Sequence, residues 1–269
     1  MGILNINDDS FSGDGRLDQA WAFRRALEML GEGADIIDVG AESARTNRPP
    51  ISEEEEIARL EPFLKAWPEI LKAAEKNPTK CQRQKPLLSV NTWRPEVADA
   101  ALEINGDILN DMSGLSDDAN AKICAKYDAA LLIMHTVGLP KQSHTHIRYT
   151  NVVSEVESYL KEKMALALKT GLPKENIILD VGLGFAKQSE DDFALIASLE
   201  RFSALGRPIL VPISRKGFIR EYLGSEDNES LDVGSVAAML SAARRGADIL
   251  RVHNVSAAYQ GLSTMKEVR

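Results

Sequence analysis

Eight short apolar runs, each followed by a stretch with helical spacing, set the tightest limit on what this chain can fold into. They are GIL (2–4), ADIIDV (34–39), PLLSV (86–90), GDILN (106–110), AALLIM (129–134), NIILDV (176–181), PILVPI (208–213) and ADILRV (247–252). Their apolar residues do not alternate cleanly with polar ones, which is the pattern of parallel strands buried on both faces. The clearest helix is SEEEEIARLEPFLKAW, with Ser52 as the expected N-cap and Glu55, three residues on, completing a capping box. Ile57, Leu60, Phe63 and Leu64 then share one face. Ser189 with Asp192 is expected to open another helix in the same style, and 151–170, 231–245 and 256–267 carry helical spacing too. Eight strands alternating with eight helices predict a single (β/α)8 TIM barrel over residues 1–269, with an active site at the strand C-termini. The rival is a doubly wound open sheet, which would more often show a GxGxxG turn after its first strand; none lies between Asn5 and Gly15.

The 269 residues carry a formal net charge of −8. With no basic run, that charge argues against a nucleic-acid surface, because phosphate backbones recruit basic patches. A small-molecule substrate is the better expectation. Cys81 and Cys124 form no CxxC pair, so neither a disulfide framework nor a structural zinc site is indicated, and the pattern suits a reducing cytoplasm. No apolar run approaches the ~20 residues of a membrane span. The polar loop EKNPTKCQRQKP (75–86) precedes the third strand, on the side where a barrel's loops serve stability.

The unusual residues crowd at the other pole. Asn5 ends the first expected strand, Glu42 and Arg45 follow the second, Asn91 and Thr92 end the third, and Asn110 and Asp111 the fourth. His135 ends the fifth, Asp180 the sixth, Lys216 follows the seventh, and Arg251 and His253 end the eighth. Two residues apart on a strand, Arg251 and His253 share a direction, and two cations aimed together suit an anion such as a phosphate. Each residue has a plainer reading: Arg251 paired with a neighbouring Asp, Asp180 capping a turn at Gly182, Asn110 an ordinary turn residue. Together they make a polar cup suited to a polar heterocycle that carries an anion.

The strings GILNINDDSFSGDG, DIIDVGAESAR, LLSVNTW, ILNDMSG, LIMHTVGLP, LDVGLGF, VPISRKGF and LRVHNV come in the order and spacing of the dihydropteroate synthases, and the chain resembles that family over nearly its whole length. The resemblance implies condensation of 6-hydroxymethyl-7,8-dihydropterin pyrophosphate with p-aminobenzoate, releasing pyrophosphate, in folate synthesis. It gives Asp180 the amino-pyrimidinone edge of the pterin, Asn110 and Asn91 adjacent ring contacts, and Lys216 the ring acceptors. Arg45, Arg251 and His253 would hold the pyrophosphate, with Asn5 helping to place Mg2+. Phe11, Phe185 and the stem of Lys216 would line the arylamine slot, the slot that sulfonamides occupy. The resemblance also implies a homodimer formed through barrel helices.

The chain departs from the family pattern in several places. The Asp of VDT is Asn91, STRPG becomes Ser43 to Asn47 with Ala44 in place of the hydroxyl, and Gly217 follows SRK where Ser is usual. Asp8 and Val181 each stand where the family has Pro. These changes gather near the leaving group and the second substrate, which implies a divergent synthase with altered sulfonamide response. Two alternatives stay open: a methyltetrahydrofolate-type methyltransferase, in which Arg45, Arg251 and His253 would lack a purpose, and a non-catalytic pterin-binding paralogue. An HxH metal pair at His144 and His146 lacks a third ligand, and four Glu at 53–56 suit a solvated first helical turn.

Overall fold

The computed structural model describes residues 1–7, 15–42, 49–76, 85–138, 140–142 and 146–268. Its strands are β1 (Gly2–Asn5), β2 (Ile36–Gly40), β3 (Leu87–Asn91), β4 (Ile108–Asp111), β5 (Ala130–Met134), β6 (Ile177–Asp180), β7 (Ile209–Val211) and β8 (Ile249–Leu250). Its helices are α1 (Gln19–Glu32), α2 (Glu53–Glu75), α3 (Pro95–Ile104), α4 (Ala119–Tyr127), α5 (Val152–Lys169), α6 (Ser189–Ala197), α7 (Leu199–Ser203), α8 (Gly217–Leu223), α9 (Asn228–Arg244) and α10 (Val255–Glu267). Where eight helices were expected, the described residues hold ten, because the connections after β6 and β7 each carry a pair.

Every strand pairs in parallel with the next in sequence order. Past β8, Val252 bridges to Gly2: Ile3 N donates to Val252 O at 3.0 Å, and Val252 N donates to Met1 O at 2.9 Å. The sheet thus curls until its two edges touch, a TIM-barrel-like layout. Side chains alternate across it with period two. One set, Ile36, Ile108, Leu132, Met134, Ile178 and Leu210, forms a small inner core. The other, including Val39, Leu88, Leu109, Leu131 and Leu179, packs on helix residues such as Leu60, Phe63, Trp67 and Phe202. Both faces are dry, and this is why the strands lack polar alternation.

The same period positions the site. Two residues beyond Ile36, Ile108, Ile178 and Ile249, in the inward register, stand Asp38, Asn110, Asp180 and Arg251. The inner column is therefore apolar at its base and polar at the C-terminal end.

Two helix starts differ from expectation. Ser52 Oγ accepts Glu55 N at 3.2 Å, as an N-cap should, but the Glu55 carboxylate turns to Arg59 at 2.5 Å, so only half of the expected box forms. At α6 the N-cap is Gln188 and its box partner is Asp191, one residue earlier than the Ser189 and Asp192 pair. That shift releases Asp192 to the interior, where it is buried and accepts Gly184 N at 2.8 Å.

Under the β2 and β3 ends, Arg94 binds Glu42 at 2.7 Å and Glu56 at 2.6 Å, and Lys141 binds Glu42 at 2.6 Å. The two carboxylates are only 3% and 1% exposed. A buried pair that loses one member leaves an uncompensated charge. Arg94→Met is expected to destabilise the fold by about 3 kcal/mol in urea unfolding, whereas Lys65→Met, whose pair with Glu61 is exposed, should change it by less than about 0.5 kcal/mol.

Candidate active site at the strand ends

A cavity of about 590 Å3 opens at the C-terminal ends of the strands, with Asn5, Asn91, Phe185, Lys216, Arg251 and His253 among its lining residues. Six residues singled out in the sequence are thus brought together. Arg251 Nε donates to Asp38 Oδ2 at 2.7 Å, so the plainer reading of an Arg paired with an Asp and the reading of an Arg facing the cavity both hold. His253 anchors on Ser214: its backbone N donates to Ser214 Oγ at 3.2 Å and its Nδ1 lies 3.0 Å from the same oxygen. The expectation of two cations needs correction. Burial, reinforced by Arg251 and Arg215, drives the His253 pKa down to about 3, so the imidazole is neutral.

Lys216 precedes α8. Its Nζ donates to Leu183 O at 2.8 Å and lies 4.7 Å from the centre of the Phe185 ring. Burial lowers its pKa to about 8 against the pull of Asp180 and Asp192, which leaves it charged at neutral pH. Asp180 caps the turn as foreseen, with Oδ1 accepting Gly182 N at 2.7 Å, and burial raises its pKa to about 6. Only glycine serves at 182: φ is +69° and a Cβ would lie 1.9 Å from His135 O. Asn110 donates to both oxygens of Asp38 at 3.3 and 3.2 Å. Neither Asp180 nor Asn110 lines the cavity; both are buried behind its wall.

Other members of the expected cup face elsewhere. Asp111 accepts from Asn120 Nδ2 at 3.0 Å and Ser113 N at 2.8 Å, on the outward side of β4. Thr92 Oγ1 accepts Arg94 N at 3.3 Å. His135 sits beside Lys187 and edge-on to Tyr159, with ring centres 4.7 Å apart. Glu42 reaches the cavity but is held by Arg94 and Lys141. Phe11, Arg45, Ala44, Asp8, Thr46, Asn47 and His144 lie outside the described residues.

Sequence reasoning missed Asp38, Lys187, Asp192 and Ser214. Asp38 did leave a signal, since an acid in the middle of the buried run IIDV must find partners. It takes Ser89 Oγ at 2.6 Å as well as Asn110 and Arg251. Lys187 left none: its partners are backbone carbonyls and an imidazole distant in sequence.

The chain belongs to the family of pterin-binding enzymes: the family model described as "Pterin binding enzyme" matches residues 1–253. Among curated relatives, the dihydropteroate synthase of Neisseria meningitidis serogroup C is 38% identical over 267 residues, covering 97% of this chain and 89% of the relative. A Haloferax volcanii protein named "Probable bifunctional folylpolyglutamate synthase/dihydropteroate synthase" is also 38% identical, and the chain spans 29% of its length. Among solved structures, the Xanthomonas albilineans dihydropteroate synthase with 4-aminobenzoic acid superposes with a TM-score of 0.85 at 33% identity, covering 100% of this chain and 92% of that one.

The buried imidazoles make stability fall in acid. His135 and His253 have pKa values near 3 in the folded chain against ~6.5 unfolded. As pH drops from ~6.5 toward ~3, the unfolded chain takes up protons that the native chain refuses, so stability is lost across that window. Asp180 and Asp192, both at about 6 folded against 3.8, act in the opposite sense between those values. The urea midpoint should therefore decline between pH 7.5 and 6, and His135→Gln should lessen that decline, one of its titrations having been removed.

Proposed function

We propose that the protein is a dihydropteroate synthase, joining 6-hydroxymethyl-7,8-dihydropterin pyrophosphate to p-aminobenzoate with release of pyrophosphate, in folate biosynthesis. The observation that carries this reading is a cavity lined both by Arg251 and His253 and by Lys216 over the Phe185 ring.

Geometry supports the roles of Arg251, His253 and Lys216, and the family resemblance supplies those of Asp180, Asn110 and Asn91. Asp38 fixes Arg251 through Nε, leaving the rest of a planar guanidinium for phosphate oxygens. With the Ser214 hydroxyl donating to Nδ1, the imidazole hydrogen would sit on Nε2, a neutral donor for the same anion. Asp180 would accept from the amino-pyrimidinone edge, Asn110 and Asn91 would read neighbouring ring atoms, and Lys216 would serve ring acceptors while its stem and Phe185 flank the arylamine. Phe11 and Arg45 complete the assignment on family resemblance alone. The carbon–oxygen bond breaks with its electron pair leaving on pyrophosphate; the arylamine nitrogen lone pair forms the carbon–nitrogen bond, and the nitrogen then loses a proton. Groups aimed at the departing charge in a dry site supply the catalysis, and no side-chain nucleophile takes part.

Mg2+ fits the donors present. Asn5 lines the cavity with a hard amide oxygen, and the buried Oδ1 atoms of Asn7 and Asn91 have no hydrogen-bond partner. Among the described residues no group of three His, Cys, Asp or Glu could hold a metal, which suits an ion that arrives with the pyrophosphate and keeps waters. When bound, it would neutralise charge on the leaving group.

Four further parts belong to the same reading. Residues 1–269 form one domain. The sheet is a closed (β/α)8 barrel, supported by the Gly2 and Val252 bridge. The protein is a homodimer, supported by the exposure of Phe193, Tyr222 and Val233 on α6, α8 and α9. It works in the cytoplasm; no helix among the described residues is long and apolar enough to cross a membrane.

Purified protein incubated with Mg2+ and the pterin pyrophosphate should release pyrophosphate only when p-aminobenzoate is present, with dihydropteroate formed in equal amount. Arg251→Met should lower kcat/KM about 100-fold. Pterin binding without product would overturn the synthase and favour the non-catalytic paralogue, whose motivating feature is the neutral Asn91.

A further inference from the structure

The turn after β6 is held by a residue that the proposed reaction does not use. Gly182, Gly184 and Ala186 all have positive φ, at +69°, +73° and +52°, so every second residue from 182 to 186 is left-handed. For Ala186, with a Cβ, this conformation is unfavourable and needs outside support. Lys187 supplies it. Its three ammonium hydrogens meet three acceptors: Gly182 O at 2.9 Å, Phe185 O at 3.0 Å and His135 Nδ1 at 2.8 Å. The imidazole, kept neutral by burial and by Lys187 itself, can accept there. Asp192, Asp180 and Asp191 lie near enough to oppose the Lys187 charge, but its hydrogen bonds go to the turn's carbonyls and His135, and Lys216 takes the carbonyl between them, Leu183 O.

We propose that Lys187 is a positioning residue that fixes Phe185 against Lys216 and so sets the affinity for the arylamine more strongly than that for the pterin, whose proposed partner Asp180 is tied to the same turn through Gly182. This rests on the assignment of Phe185 to the arylamine slot. The ammonium pins the backbone on both sides of the Phe185 ring, while the Arg251 and His253 wall hangs from Asp38 and Ser214, to which Lys187 is not bonded.

The test uses Lys187→Met, with His135→Phe as a milder variant that removes one of three acceptors and leaves the lysine. Amide hydrogen exchange reads the turn whether or not the protein turns over: protection at Gly182, Gly184 and Phe185 should drop roughly tenfold or more in Lys187→Met while β5 is unchanged. Steady-state kinetics then reads the slot: the KM for p-aminobenzoate should rise about tenfold, with kcat within about twofold and the pterin dissociation constant rising clearly less than that KM, the pattern of lost ground-state binding. His135→Phe should show both effects at smaller size, and it carries the test if Lys187→Met does not fold. Unchanged protection, or equal losses for pterin and arylamine, would overturn the inference. A wild-type protein that releases no pyrophosphate would instead overturn the proposed function, with the exchange result still deciding whether Lys187 holds the turn.

Discussion

The Asp38 carboxylate is the interaction on which the site depends. Fully buried in the inner column, it gathers Ser89 from β3, Asn110 from β4 and Arg251 from just past β8. A carboxylate in such a place is costly unless its lone pairs are all engaged and its charge opposed, and these three donors do both. Strands far apart in sequence are thereby tied at the level where the column changes from apolar to polar. Arg251 is aimed before any ligand arrives, so no reorganisation is needed when charge develops beside it.

The turn that carries Phe185 works by different means. Two ammonium groups, Lys187 and Lys216, take carbonyl oxygens from consecutive parts of one turn, and two buried acids, Asp180 and Asp192, take its amides. Burial depresses the pKa of both lysines and raises that of both acids, so four groups of alternating sign sit where each is only moderately comfortable as a charge. Such a cluster gives fixed backbone geometry in a stretch that has no secondary structure of its own.

Much of this architecture was legible from the chain. The eight apolar runs became eight parallel strands, the period of two gave Arg251 and His253 one direction, and these two line the cavity together with Asn5 and Asn91, read as strand ends. Three things were not legible, each for a physical reason. Charge state depends on burial, so His253 could be placed by pattern but not recognised as neutral. Helix starts are sensitive to one residue, so a box assigned to Ser189 and Asp192 belongs to Gln188 and Asp191, and the true role of Asp192 went unseen. Partners supplied by backbone carbonyls leave no trace in side-chain identity, which hid Lys187. Asp111 and Thr92 show the converse: polar residues at strand ends that the strand's alternation turns away from the cavity.

Two glycines close in sequence to Phe185 and Lys216 differ in how much variation they allow. At Gly182 a methyl group would collide with the His135 carbonyl, whereas at Gly217 an added Cβ meets nothing within 4 Å. The turn before Phe185 is locked to a single residue, and the position beside Lys216 is open to many. Evolutionary change in this cavity has its room at the rim, where new side chains can accumulate and alter what is admitted while the turn that carries Phe185 stays as it is.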